Sequence, residues 1–110
     1  MISLIEENRE RIEEACDRYR VDRLRLFGSA ATGQFKPGES DLDFFVKFLD
    51  RSPTMEYVNG ILGLADALEE ILQCPVDLIT DGSVRNPYLQ KEIQERSEIV
   101  YDRSNQKTPA

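Results

Sequence analysis

The sequence predicts an α/β (α+β) domain, a small mixed β-sheet with flanking helices. Three observations carry this. Short runs rich in β-branched and aromatic residues, at 23–27, 42–48 and 76–80, alternate with long segments of helical period. The order that results, α-β-(short α)-β-α-β-α-β, sets few strands among much helical mass, which suits a small sheet with helices packed on it. The length of 110 residues fits one domain, and 40% apolar with 32% charged residues is a globular balance.

The first helix is expected over residues 3–20. Ile5, Ile12, Ala15, Cys16 and Tyr19 fall on one stripe, with Ser3 placed as N-cap and Glu6 at the capping-box position. Residues 23–27 alternate and stop at Gly28-Ser29, so they read as a strand opening into a short helix. Residues 42–48 (LDFFVKF) make the second strand, with Phe44, Val46 and Phe48 on one face. Over 54–73 the spacing of Met55, Val58, Leu62, Ala65, Leu68 and Leu72 predicts a long helix whose stripe enters the core. Pro75 ends it. Residues 76–80 (VDLIT) form the third strand, and Asp81-Gly82 is a turn. Asn86-Pro87 has the form of an N-cap followed by proline at the first helical position, opening a helix to about residue 96. Residues 98–101 (EIVY) give a short last strand, and the folded unit is placed at 1–102 with a loose polar tail at 103–110.

Composition excludes several chemistries. There is no histidine, hence no Ser-His-Asp triad, no His general base and no His-ligated zinc. Cys16 and Cys74 are too few for a Cys₄ site and form no CxxC, so they read as buried or partly buried thiols. The start of the chain shows no basic and apolar leader, and no apolar run approaches the roughly 20 residues of a membrane span, so the expected location is cytoplasmic. A net charge of −7, from 21 Asp+Glu against 14 Lys+Arg, speaks against tight generic binding to DNA or RNA. It leaves a nucleotide ligand open, since bound cations invert the local field.

Three features carry chemistry. Gly28-Ser29, directly after a strand and followed by Gly33, aims backbone N–H groups and a hydroxyl at one spot, as a phosphate cradle does, although a Gly-Ser turn alone is commonly structural. Asp41 and Asp43, two apart on an extended chain, share a face and form a hard-oxygen pair suited to Mg²⁺ or Mn²⁺; the bland alternative is a solvated strand edge. Asp77, inside an apolar strand, either faces solvent or serves as a metal ligand or base. Together these are the parts of phosphoryl or nucleotidyl transfer: three carboxylates suffice to hold two divalent metals roughly 3.5–4 Å apart, and the third also takes or orients the proton of an attacking hydroxyl.

On these residues the sequence resembles the minimal nucleotidyltransferases of the DNA polymerase beta superfamily, among them the MntA-type antitoxins. The resemblance spans nearly the whole chain and implies the polymerase-beta-like nucleotidyltransferase fold over 1–102, with ATP as substrate and Mg²⁺ in a two-metal site. It implies that Gly28 and Ser29 hold the phosphates, that Asp41, Asp43 and Asp77 are the catalytic residues and metal ligands, and that AMP passes to a hydroxyl. It further implies a HEPN-type ribonuclease toxin as partner, neutralised in some family members by AMP on a tyrosine. One departure stands out. The family turn often reads GSxARG, whereas here Thr32 precedes Gly33, and a hydroxyl does not neutralise a triphosphate as a guanidinium does. Lys36 is a candidate substitute. A catalytically weak or inactive, binding-only antitoxin is therefore an alternative, and a small-molecule nucleotidyltransferase is another, disfavoured by the short chain. Partner contact is expected through exposed apolar residues on the helices or near Tyr57, Tyr88 and Tyr101.

Overall fold

β1 (Val21–Phe27) is an inner strand of the sheet, and its alternation explains how both faces are used. Leu24 and Leu26 are fully buried on one face, while Arg23 and Arg25 turn to the other. The computed structural model describes residues 2–36 and 39–106. Its elements in order are α1 (Ser3–Glu7), α2 (Arg9–Arg18), β1, α3 (Ser29–Thr32), β2 (Leu42–Phe48), α4 (Met55–Leu72), β3 (Val76–Thr80), α5 (Pro87–Arg96), β4 (Glu98–Asp102) and α6 (Arg103–Gln106).

The four strands form one mixed sheet in the order β3-β2-β1-β4. β1 is antiparallel to β2 and β4, and β2 runs parallel to β3. That parallel step needs a crossover, which α4 supplies. Leu42, Phe44, Val46 and Phe48 of β2 join Leu24 and Leu26 beneath α2 and α4, as their alternation predicts. Phe27 and Ile93 are buried outside that cluster, and α5 contacts β1, so α5 covers the opposite face near the end of β1. The edge strands are tied down. Arg9 Nη1 donates to the Val100 carbonyl at 2.9 Å, and Glu69 Oε2 accepts from the Val76 N–H at 2.9 Å.

Four expectations need correction. The first helix is split at Asn8 (φ −113°, ψ 15°), whose side-chain amide donates to the Leu4 carbonyl at 2.9 Å and so competes with the helical ladder. Ser3 lies inside α1 and makes no cap; Ile2 occupies that place, and Glu6 pairs with Arg9 at 2.9 Å. In α4, Leu68 and Leu72 are buried as expected, but Met55, Val58 and Leu62 are exposed, and Leu64 takes the core place instead. α4 is apolar on most of its circumference, so packing rather than pattern chose the face. Tyr101 is buried, leaving Tyr88 exposed and Tyr57 half-buried against Phe48 at a ring separation of 5.5 Å.

The local signals at other places hold. Asn86 Oδ1 accepts from the Tyr88 N–H at 2.9 Å, capping α5 behind Pro87. Both cysteines are free thiols, Cys16 buried and Cys74 half-buried. The tail expected to be loose from residue 103 does differ: it opens with the turn of helix α6, where Arg103 Nε donates to the Val21 carbonyl at 2.9 Å. Residues 107–110 lie outside the described residues.

Candidate active site

The chain leaves β1 through Gly28, at φ 72° and ψ −152°, a conformation only glycine adopts without strain. A second constraint coincides with the first. A Cβ on Gly28 would lie 2.2 Å from Asp43 Oδ2, so the carboxylate rests directly on the glycine backbone. The sheet explains the contact, because Phe27 is the register partner of Asp43 across β1 and β2. The Gly-Ser turn and the Asp-x-Asp strand, apart in sequence, thus meet at one place.

Asp77 meets them there. It is the register partner of Asp43 across the parallel pair β2/β3, so the two carboxylates leave the same face of neighbouring strands, about 5 Å apart at the backbone. That face is opposite to the one carrying Leu42 and Phe44. Asp77 is exposed, so its carboxylate carries no burial cost in the apolar strand. Asp41, also exposed, stands just before β2. The turn before it is closed by bonds from the Glu39 and Ser40 N–H groups to the Lys36 carbonyl at 3.0 and 2.9 Å, and from the Lys36 N–H to Ser40 Oγ at 3.1 Å.

Electrostatics register this convergence. The carboxyl of half-buried Asp43 is held above the usual aspartate range, first by desolvation and then by the negative charges of Asp77, Asp41 and Glu92. Glu92 is absent from the sequence prediction. It is half-buried on α5 beside buried Ile93, and only the docking of α5 on β1 brings it near. Arg25 Nη1 donates to Ser97 Oγ at 3.1 Å, and Ser97 Oγ in turn donates to the Ile93 carbonyl, which fastens the end of α5 to the sheet.

Thr32, in the place where the resembling family often has arginine, is exposed, and its side chain folds back on its own turn. Its hydroxyl is within bonding distance of the Gly28 carbonyl at 3.2 Å and the Ser29 carbonyl at 3.4 Å. Lys36 is exposed.

The donor set fits Mg²⁺ in chemistry: oxygen ligands only, clustered negative charge, and a backbone stripped of a side chain beside Asp43. Among the described residues, no group of three Asp, Glu or Cys side chains is already gathered closely enough to hold an ion. An open groove of about 320 Å³ lies at the far end of β2, lined by Arg18, Tyr19, Arg20, Phe48 and Tyr57 among others; none of the three aspartates lines it.

Residues 9–100 match the model of the nucleotidyltransferase domain family, and the chain belongs to that family. A relative from Methanocaldococcus jannaschii, provisionally named a protein adenylyltransferase, is 42% identical over 87 residues, 77% of this chain and 80% of the relative. A second from the same organism and with the same provisional name is 31% identical over 85 residues, 77% of this chain and 80% of the relative. Among solved structures, a minimal nucleotidyltransferase, so named provisionally, has a TM-score of 0.63 at 27% identity, covering 84% of this chain and 89% of that one. A toxin–antitoxin pair solved with AMP-PNP has a TM-score of 0.67 at 22% identity, covering 86% and 73%. The Shewanella oneidensis complex of a tri-AMPylated HEPN toxin with an MNT antitoxin has a TM-score of 0.62 at 18% identity, covering 93% and 76%. The chain therefore has the nucleotidyltransferase fold that these solved structures share. No helix among the described residues is long and apolar enough to cross a membrane.

Proposed function

We propose that this protein is a Mg²⁺-dependent nucleotidyltransferase that moves AMP from ATP to a hydroxyl of a protein partner, and that the partner is a HEPN-type ribonuclease toxin for which it acts as cytoplasmic antitoxin. One observation carries the reading: the backbone of Gly28 lies against Asp43, which is in register with Asp77, so turn and carboxylates occupy one spot. The names of the relatives and the complexes in which the neighbours were solved support the choice of substrate and partner.

In this reading Asp41, Asp43 and Asp77 hold the metal, and Gly28 and Ser29 receive the phosphates, Ser29 by donating its hydroxyl to a phosphate oxygen. When bound, Mg²⁺ supplies charge neutralisation and polarisation at the phosphates. Asp77, the more exposed of the registered pair, faces the acceptor and takes or orients its proton. The acceptor oxygen attacks the α-phosphorus and pyrophosphate leaves. Lys36, on the turn leading to Asp41, supplies the cation that Thr32 does not.

The hydroxyl of Thr32, bonded back onto its own turn where a guanidinium would meet phosphate, favours a second reading, a binding-only antitoxin. Incubation with α-labelled ATP and Mg²⁺ in lysate of the source cells separates the two. Transfer predicts a labelled protein band that disappears with the Asp41→Asn/Asp43→Asn variant. A band that survives in that variant refutes the site assignment, and no band with the wild type favours the binding-only reading.

A further inference from the structure

The outer face of α4 has no role in the site, yet it is built unlike a solvent-facing helix. Met55, Val58 and Leu62 are 72%, 46% and 60% exposed, and their spacing of three and four residues puts them on one stripe. Isolated exposed apolar side chains are ordinary; three in line over about 10 Å of helix form a surface. The buried side of the same helix is already occupied by Leu64, Leu68 and Leu72, so rotating α4 does not hide the stripe. Asp66, one turn beyond Leu62, and then Glu69 and Glu70 continue that side as an exposed acidic block.

We propose that this face docks a helix of a partner protein whose apolar stripe is accompanied by lysine or arginine. Charge complementarity selects that occupant. A second copy of this chain fits poorly: packed parallel, the acidic blocks of two α4 helices meet, and packed antiparallel, each block is desolvated against the other's Met55 and Val58. Anionic lipid is repelled by the same carboxylates. The surface is independent of the transfer chemistry, since α4 packs on the sheet face opposite to the one carrying Asp43 and Asp77.

The test uses the full chain, labelled with ¹⁵N, and two synthetic amphipathic helices. One has a leucine stripe flanked at both ends by lysines; in the other, glutamates replace the lysines. The lysine peptide is expected to shift amide signals along Met55–Glu70, and to bind about tenfold or more tighter than the glutamate peptide at low salt. Val58→Ser/Leu62→Ser is expected to weaken it about tenfold or more, from the apolar area no longer buried. Asp66→Asn/Glu70→Gln is expected to weaken it and to flatten its salt dependence. Both pairs are on the surface, and matching circular dichroism and melting curves verify that the variants are folded. Equal binding of the two peptides, shifts confined to other elements, or a wild-type dimer in sedimentation that the double Ser variant dissociates each overturn the proposal. The same experiment leaves the transfer reading untouched, because it measures no activity.

Discussion

Replacing Gly28 by alanine probes the one contact that joins the turn to the carboxylates. Two penalties act at once. The backbone conformation there costs a non-glycine residue about 1–3 kcal/mol. The added Cβ also sits 2.2 Å from Asp43 Oδ2, and moving the crowded group adds about 1–3 kcal/mol. The expected loss is therefore about 2–6 kcal/mol, a fall in melting temperature of roughly 10–30 °C for a domain of this size. The two parts separate in a double-mutant cycle. In an Asp43→Ala background the oxygen is gone and the backbone strain remains with a milder 3.3 Å contact to the Cβ of residue 43, so Gly28→Ala should cost about 1 kcal/mol or more less there. Denaturant unfolding of the four proteins measures this. Costs that add to within about 0.5 kcal/mol would refute the reasoning that glycine is needed to seat the carboxylate.

Other consequences can be measured in parallel. The folded state holds the Asp43 proton more tightly than the unfolded chain, so its contribution to stability is complete below the ordinary aspartate pKa. That contribution is lost as pH rises through the raised folded value. Asp43→Asn should therefore be more stable than the wild type above that window and flatten the pH dependence of the urea midpoint within it. At Gly63 a Cβ would fall 2.5 Å from the Tyr19 ring, so Gly63→Ala should cost about 1–3 kcal/mol by thermal melting. Gly82→Ala, with open space at its Cβ, should stay within about 0.5 kcal/mol of the wild type. Burial and then the charge of Glu13 push the Cys16 thiol up to about 12, so iodoacetamide at pH 8 should alkylate half-buried Cys74 and spare Cys16 until the protein unfolds, as followed by mass spectrometry.

What the sequence made legible depended on how local the cause was. The four strands and the Asn86-Pro87 cap follow from alternation and a two-residue signal, and they appear as expected. Asp43 follows the alternation of β2, whereas Asp41 stands just before the strand, where strand geometry does not fix its face. The break at Asn8 was hidden because a side chain bonding back to Leu4 leaves no mark on the apolar stripe. The face of α4 was hidden because Met55, Val58 and Leu62 make as good a stripe as the residues that are buried. The contact of Gly28 with Asp43, the register of Asp43 with Asp77, and the approach of Glu92 all arise from strand pairing and helix docking, which no short window contains. The sequence nominates the aspartates, but the register that sets Asp43 beside Asp77 is not in it.

The central claim is that Gly28, Ser29, Asp41, Asp43 and Asp77 form one Mg²⁺-nucleotide site. The most direct measurement is an amide-shift titration of the ¹⁵N-labelled protein with a non-hydrolysable ATP analogue, with and without Mg²⁺. The account predicts saturable shifts at Gly28, Ser29, Asp43 and Asp77 that need Mg²⁺ and disappear in Asp41→Asn/Asp43→Asn. Shifts centred instead on the groove of Arg18, Phe48 and Tyr57, or binding indifferent to Mg²⁺ and to that double substitution, would contradict it.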